Sequence, residues 1–227
     1  MKYEIKGTTF PVVVMYPQRG ETIVCESGAM TWMSDNMKMN ATTGGGIGKM
    51  FSRMFSDESL MQDTYTAEGG PGMLACASRF PGMIKPFEIS PGNSIVIQKS
   101  AFLCSEKGVD TSIYFQKKIG VALFGGEGFI MQKISGNGLC FAEFNGDIVK
   151  YNLEAGQKLI VDTGNLAACT DGCSIDIQSV PGVKNALFGG EGLFNTVITG
   201  PGSVWVQTMS LPSFVSAIAP LIPKDRN

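Results

Sequence analysis

Three copies of one turn-and-strand pattern run along this chain of 227 residues. Each copy opens with a turn glycine that is followed by a short apolar strand, and these turn glycines are Gly20, Gly92 and Gly156. Internal repetition means that each copy is one structural unit that packs against its neighbours. The pattern therefore predicts a pseudo-threefold scaffold.

A second turn recurs in each copy, at residues 70–72, 136–138 and 200–202, and reads Gly-Pro-Gly or Gly-Asn-Gly. An apolar strand follows each of these turns. Glycine beside proline or asparagine supplies the backbone angles of a tight turn, so the pattern predicts hairpins. The first copy is longer than the others between its two turns, and alignment of the segment between them predicts two short insertions.

Composition agrees with short strands joined by turns. Only 17% of the residues are charged, whereas 44% are hydrophobic and 29 are glycine. We predict an all-β fold, a sandwich or barrel with a pseudo-threefold internal repeat, in a single domain over residues 1–227. The expected repeats are 20–91, 92–155 and 156–210.

A short helix is predicted to follow the last repeat, over residues 211–222. Apolar residues at 211, 214, 215, 218 and 222 share one helical face. Ser210 is the expected N-cap, and Pro212 falls in the first turn, where proline is tolerated. The segment is too short to span a membrane. We expect it to pack on the domain or on a neighbouring subunit.

The segment between the two turns of each copy holds the candidate site. In copies two and three it reads Phe-Gly-Gly-Glu-Gly, which predicts a single helical turn capped by glycine before the next strand. Glu58, Glu127 and Glu191 take equivalent positions. Two interpretations remain open: the three carboxylates converge on a hard cation, or each one binds backbone N–H groups of its own loop. The candidate binding residues are Phe55, Glu58, Phe124, Gly125, Gly126, Glu127, Phe188, Gly189, Gly190 and Glu191.

The absence of histidine weighs against catalysis, because it removes the usual general base and the usual zinc ligand. No serine nucleophile elbow is present either. The glycine run at residues 44–48 is followed by Lys49-Met50 rather than Lys-Ser or Lys-Thr, so a flexible loop is favoured over a phosphate loop. We therefore expect no enzymatic activity, no catalytic residues, no metal and no cofactor.

Net charge and cysteine content limit which partners and which cellular compartment are expected. A net charge of −2 and a pI near 5.3 argue against nucleic-acid binding. The six cysteines leave disulfides open, but most of them lie in apolar strand patterns, which favours buried reduced thiols. No targeting segment is recognisable at the N-terminus, so the expected location is the cytoplasm.

Two smaller sets of residues each have a structural and a functional interpretation. Cys169 and Cys173 flank an Asp-Gly turn, and a purely structural role for them is favoured over a metal or redox site. Four aromatic side chains offer stacking surfaces for bases, but their strand patterns favour packing in the core. These aromatic residues are Trp32, Trp205, Phe124 and Phe188.

Several motifs together resemble one known family. Glu26-Ser27-Gly28-Ala29-Met30, the Phe-Gly-Gly-Glu-Gly blocks and the Gly-Pro-Gly turns are similar to the "altered inheritance of mitochondria" family, member twenty-four. The resemblance implies a fold like that of the tryptophan-RNA-binding attenuator protein. Fungal members are mitochondrial and linked to inner-membrane organisation, but this chain has no recognisable transit peptide. The family supplies no catalytic residues to transfer.

The sequence as a whole favours a non-enzymatic scaffold or protein-interaction protein that forms homo-oligomers. One alternative is a module that binds a small molecule or an ion through the repeated Phe-x-x-Glu turns. A weaker alternative is RNA binding by analogy of fold, which the acidic charge opposes. No membrane span is expected.

Overall fold

The computed structural model describes residues 1–42, 62–117, 128–179 and 194–222. Within these ranges the chain forms nineteen β-strands and one α-helix. The predicted all-β class and the short C-terminal helix are confirmed. Two strands precede the first repeat: β1 (Lys2–Lys6) and β2 (Val12–Tyr16).

The remaining described strands follow the same order in each copy, six in each of the first two copies and five in the third. The first copy contains β3 (Thr22–Glu26), β4 (Met30–Met33), β5 (Met37–Thr42), β6 (Gln62–Ala67), β7 (Leu74–Ala77) and β8 (Gly82–Ile89). The second contains β9 (Ile95–Gln98), β10 (Phe102–Glu106), β11 (Val109–Lys117), β12 (Phe129–Gly136), β13 (Gly138–Asn145) and β14 (Ile148–Leu153). The third contains β15 (Lys158–Asp162), β16 (Leu166–Thr170), β17 (Ser174–Ser179), β18 (Phe194–Thr199) and β19 (Gly202–Gln207).

The chain divides into two compact units. The first comprises Met1–Asn93, Phe102–Asp110 and Ser135–Glu143, and the second comprises Ser94–Ala101, Thr111–Ile134 and Phe144–Asn227. Strands of the first unit form a sheet of order β1-β2-β7-β4 and a sheet of order β5-β6-β3-β10-β13-β8. Strands of the second form sheets of order β11-β12-β9-β16-β19-β14 and β15-β18-β17. The expectation of a single domain stays a prediction.

Two ladders show the internal repeat directly, one in each unit. In the first unit β10 pairs antiparallel with β3, and Cys104 lies opposite Cys25. In the second unit β16 pairs antiparallel with β9, and Ala168 lies opposite Ile97. The number of residues from Cys25 to Ile97 equals the number between the first two turn glycines. The number of residues from Cys104 to Ala168 equals the number between the last two turn glycines. We call these two ladders the internal junctions.

A β-bulge recurs at the same place in every copy. The register shifts between Met30 and Trp32 in β4, between Phe102 and Cys104 in β10, and between Leu166 and Ala168 in β16. Bulges re-aim a strand and are specified features of a fold. Three bulges at equivalent positions indicate that the copies share their backbone path as well as their sequence pattern.

Each unit has its own apolar core. The first is built around Phe141, Leu103 and Met15, which are fully buried, and the Tyr3 ring meets that of Phe141 edge to face with centroids 4.9 Å apart. The second is built around Leu166 and Ile198. Period-two alternation supplies these residues, because every second side chain of a strand faces the same side.

The predicted hairpins at the Gly-x-Gly turns are wrong. The strands before and after each turn belong to different sheets: β6 and β7, β12 and β13, and β18 and β19. The backbone donors of the turns bind other parts of the chain, since Gly72 N–H donates to the Pro17 carbonyl and Asn137 N–H to the Gly108 carbonyl, both at 2.9 Å. These turns are therefore corners at which the chain changes sheets.

Replacing Gly202 with alanine is expected to lower the free energy of unfolding by about 3 kcal/mol or more. Gly202 has a φ of +150°, and an added Cβ would overlap the side chains of Thr170 and Cys173. The matched control is Gly156→Ala, where φ is +79° and no atom lies within 4 Å of the added Cβ. We expect a loss of about 1–2 kcal/mol there, measured by urea denaturation. Equal losses in the two variants would contradict the steric account.

The C-terminal helix α1 (Leu211–Ile218) begins where the sequence predicts. The Ser210 hydroxyl accepts a hydrogen bond from Ser213 N–H at 3.3 Å, which confirms the N-cap, and a short 3-10 turn (Ala219–Leu221) follows the helix. Ser210 itself is buried, but no residue of α1 is. Among the described residues, no helix has the length and apolar character needed to cross a membrane.

Candidate self-association surface

All ten predicted binding residues lie outside the described part of the chain, in segments 43–61, 118–127 and 180–193. These segments connect strands that are neighbours in a sheet: β5 to β6, β11 to β12 and β17 to β18. The three segments therefore occupy equivalent places in the strand order. Convergence of Glu58, Glu127 and Glu191 stays a prediction.

The described cysteines are all free and buried, as the sequence predicts. In the first core, Cys25 Sγ lies 3.6 Å from Cys76 Sγ, and Cys104 Sγ lies 3.7 Å from Met15 Sδ. Burial raises the pKa of the Cys104 thiol well above its usual value and raises the pKa of Cys140 to about 12. Both thiols are therefore neutral near pH 7 and behave as small apolar side chains.

Cys169 and Cys173 interact with each other in the second core. Cys169 lies on β16, and Cys173 lies in the turn that precedes β17. The Cys169 thiol, acting as hydrogen-bond partner, lowers the pKa of Cys173 to about 6. No group of three or more cysteine and carboxylate side chains in the described ranges is placed to hold a metal ion. The pair has the turn geometry that the sequence suggests.

The two tryptophans lie in different environments. Trp205 on β19 is buried, as predicted, and the Lys150 ammonium lies 5.3 Å from its ring centroid. Trp32 on β4 is 44% exposed, so its predicted place in the core is wrong. The other two aromatics of that prediction, Phe124 and Phe188, lie outside the described residues.

Strand β4 is an edge strand with uncovered apolar side chains. It ends its sheet next to β7, and both Trp32 and Met33 (36%) are exposed. Its sequence, Met-Thr-Trp-Met, carries no charge. Edge strands usually carry charged side chains that oppose pairing with another chain. Sequence reasoning missed this surface, although the lack of charge was readable.

Strand β15 is an edge strand of the second unit and also has an uncovered apolar side chain. It ends its sheet next to β18, and Ile160 at its centre is 64% exposed. The equivalent residue of the second copy, Val96 on β9, is fully buried. An isoleucine this exposed on a strand leaves apolar area in water that a partner strand would cover.

The C-terminal helix adds a third uncovered apolar surface. Val215 and Ile218 of α1 are exposed, as are Leu221 and Ile222 just beyond it. Residues 192–223 contain no Asp, Glu, Lys or Arg. The helix therefore presents aliphatic side chains without the charged rim that keeps most surface helices solvated.

Comparison with known proteins places this fold in a family. The chain matches the family model described as mitochondrial biogenesis AIM24 over residues 3–209. It is 28% identical over 237 residues to an uncharacterised protein of Streptococcus pyogenes serotype M6, covering 100% of this chain and 93% of that relative. A crystal structure of a Streptococcus pyogenes protein matches with a TM-score of 0.79 at 24% identity, over 97% of this chain and 99% of the other. The resemblance seen in the sequence motifs is thus confirmed, and the chain belongs to the mitochondrial biogenesis AIM24 family.

Proposed function

We propose that this chain is a non-enzymatic scaffold or protein-interaction protein that assembles with copies of itself. The observation that carries the proposal is the uncharged C-terminal helix α1, whose Val215 and Ile218 are exposed. A surface without charge offers no electrostatic complement to a basic or acidic partner. The same surface on a second copy complements it, because an apolar patch can bury itself against its own equivalent about a twofold axis.

The non-enzymatic part of the proposal is supported by the chemistry of the side chains. The sequence has no histidine, so a serine or cysteine nucleophile would lack its usual activating base. The buried thiols of Cys104 and Cys140 have raised pKa values and hold little thiolate near neutral pH, and Cys173, whose pKa is lowered to about 6, is 2% exposed and so out of reach of a substrate in solution. Free, buried cysteines also agree with a reducing compartment, and we propose the cytoplasm as the location.

Light scattering coupled to size-exclusion chromatography tests the assembly. We expect a mass of at least two chains at micromolar concentration, and a combined Val215→Lys, Leu221→Lys variant is expected to raise the dissociation constant at least tenfold, because charges placed on an apolar contact must be desolvated. The control is Ser216→Lys, which adds charge at an exposed polar position of the same helix. A wild-type mass of one chain across the micromolar range would contradict the proposal.

The alternative of ion binding has its own test. Duplication alone gives segments 43–61, 118–127 and 180–193 equivalent places in the strand order, so convergence of their glutamates needs a direct test. If three carboxylates bind one hard cation, Ca²⁺ or Mg²⁺ is expected to raise the melting temperature of the wild type but not of Glu127→Gln. A wild-type shift of zero, or an equal shift in the variant, would count against this alternative.

A further inference from the structure

We propose that the edge of β4 in one copy pairs antiparallel with β15 of a second copy, in the register that the internal junctions already use. This inference rests on the proposed self-association and adds a second contact to it, separate from the helix α1 surface. In the proposed assembly, two chains form between them the same ladder that each chain forms twice internally.

The register of this pairing follows from the internal junctions. In the first unit, Cys104 of β10 faces Cys25 of β3, and Ser105 faces Val24. In the second, Ala168 of β16 faces Ile97 of β9, and Cys169 faces Val96. Strand β4 is the counterpart of β10 and β16, and β15 is the counterpart of β3 and β9. The same register therefore places Trp32 opposite Val161 and Met33 opposite Ile160.

Burial shows that β4 lacks the cover that its counterparts β10 and β16 have, whereas in β15 Ile160 is exposed and Val161 is buried. Cys104 and Ala168, which are equivalent to Trp32, are each 0% exposed. The equivalents of Met33, Ser105 and Cys169, are buried as well. Because β4 keeps the bulge of β10 and β16 and pairs on its inner side with β7, the counterpart of β13 and β19, we attribute its exposure to a missing outer neighbour.

Charge distinguishes β4 from every other edge strand in the described ranges. The other strands that end a sheet each carry at least one Lys, Asp or Glu: β1, β5, β8, β11, β14, β15 and β17. In β15 the two charges, Lys158 and Asp162, stand at its ends, so its centre is apolar. An uncharged edge next to an apolar strand centre permits the ladder that charged edges resist.

The chemistry of the cross-strand pairs favours association. Trp32 opposite Val161 pairs an aromatic side chain with a β-branched one, and Met33 opposite Ile160 pairs two apolar side chains. Cross-strand pairs of these kinds stabilise antiparallel ladders. Backbone N–H and C=O groups on the outer sides of both strands would become paired. Because the two strands differ, each copy supplies one edge of each kind, and the contact is head-to-tail.

Mixed disulfide trapping tests the pairing. The template is the Cys25–Cys104 pair, whose residues lie directly opposite each other in the ladder, and the equivalent positions are Val161 and Trp32. Trp32→Cys and Val161→Cys chains are prepared separately, mixed, and oxidised with a copper–phenanthroline catalyst. Neither variant holds both engineered thiols, so a bond between them must join two chains. The native cysteines are buried, which keeps the background low.

We expect a linked species of two-chain mass on a non-reducing gel in the mixture, at least fivefold more abundant than with either variant alone, and lost on reduction. A mixture of Trp32→Cys with Val149→Cys is the control, because Val149 is exposed on the edge strand β14. No linked species, or a yield equal to that control, would overturn the pairing. So would a Trp32→Cys, Val161→Cys double variant that forms its bond within one chain.

The outcomes separate this inference from the proposed function. A multimeric mass by light scattering without the mixed disulfide would leave self-association standing and remove the β4–β15 contact. A mass of one chain without the disulfide would remove both. Trp32 is an exposed side chain and valine to cysteine is a small change, so circular dichroism spectra of both variants are expected to match the wild type.

Discussion

Replacing Phe141 with alanine is expected to lower the free energy of unfolding by about 3–5 kcal/mol. Phe141 is fully buried on β13 and meets the Tyr3 ring edge to face at 4.9 Å. Truncation removes the apolar contacts of the ring and leaves a cavity that the surrounding strands cannot fill. The measurement is the urea midpoint and slope, followed by fluorescence.

The control is Phe10→Ala, which removes the same side chain where it is 61% exposed. We expect a change there within about 0.5 kcal/mol. A loss at Phe141 no larger than the loss at Phe10 would contradict the assignment of the first core to this part of the chain.

Replacing Glu143 with alanine is expected to lower the free energy of unfolding by about 3 kcal/mol. Its carboxylate is buried, accepts from the Ser78 hydroxyl at 3.0 Å and from Arg79 N–H at 2.9 Å, and lies 3.3 Å from Arg79 Nε. Alanine would leave these donors without their acceptor. Thermal and urea denaturation measure the loss.

Two variants make the Glu143 result specific. Glu143→Gln keeps one acceptor oxygen and is expected to lose less than Glu143→Ala. Glu4→Ala removes an exposed carboxylate that pairs with Lys6 at 3.1 Å, and it is expected to leave the midpoint unchanged because solvent screens such a pair. Equal effects of Glu143→Ala and Glu4→Ala would show that the buried network contributes nothing to stability.

The fold was readable from the sequence because duplication keeps both spacing and periodicity. The steps between successive turn glycines reappear as the steps between equivalent ladder partners of the internal junctions. Period-two alternation likewise marks the strands that supply the two cores. Local turn chemistry also predicted the Ser210 cap correctly.

One of the two insertions predicted in the first copy, the one ahead of Asp63, has a counterpart in the ladders. Asp63, Gln132 and Thr196 hold equivalent ladder positions in the three copies. The step from Asp63 to Gln132 is shorter than the step between the first two turn glycines, as an insertion ahead of Asp63 requires. The step from Gln132 to Thr196 equals the step between the last two turn glycines, because those copies have no such insertion.

The sequence did not predict in the same way which strands pair with one another. A glycine turn has similar composition whether it closes a hairpin or moves the chain to another sheet, and the turn at residues 136–138 does the latter. Alternation of apolar residues also looks the same in a core strand and in an uncovered edge. The alternation therefore predicts a buried Trp32, although no sheet of the described chain contains a strand beyond β4 that would cover it.

Amide hydrogen exchange at two protein concentrations tests the central claim, that the copies share one ladder and that the third ladder forms between chains. We expect residues 102–106 and 166–170 to be protected at both concentrations. Within residues 30–33 and 158–162, the amides that do not bond to the inner neighbours β7 and β18 are expected to gain protection as the concentration rises through the association range, and to lose it on dilution. Rapid exchange of these outer amides at all concentrations, or protection of them that dilution does not change, would contradict the account.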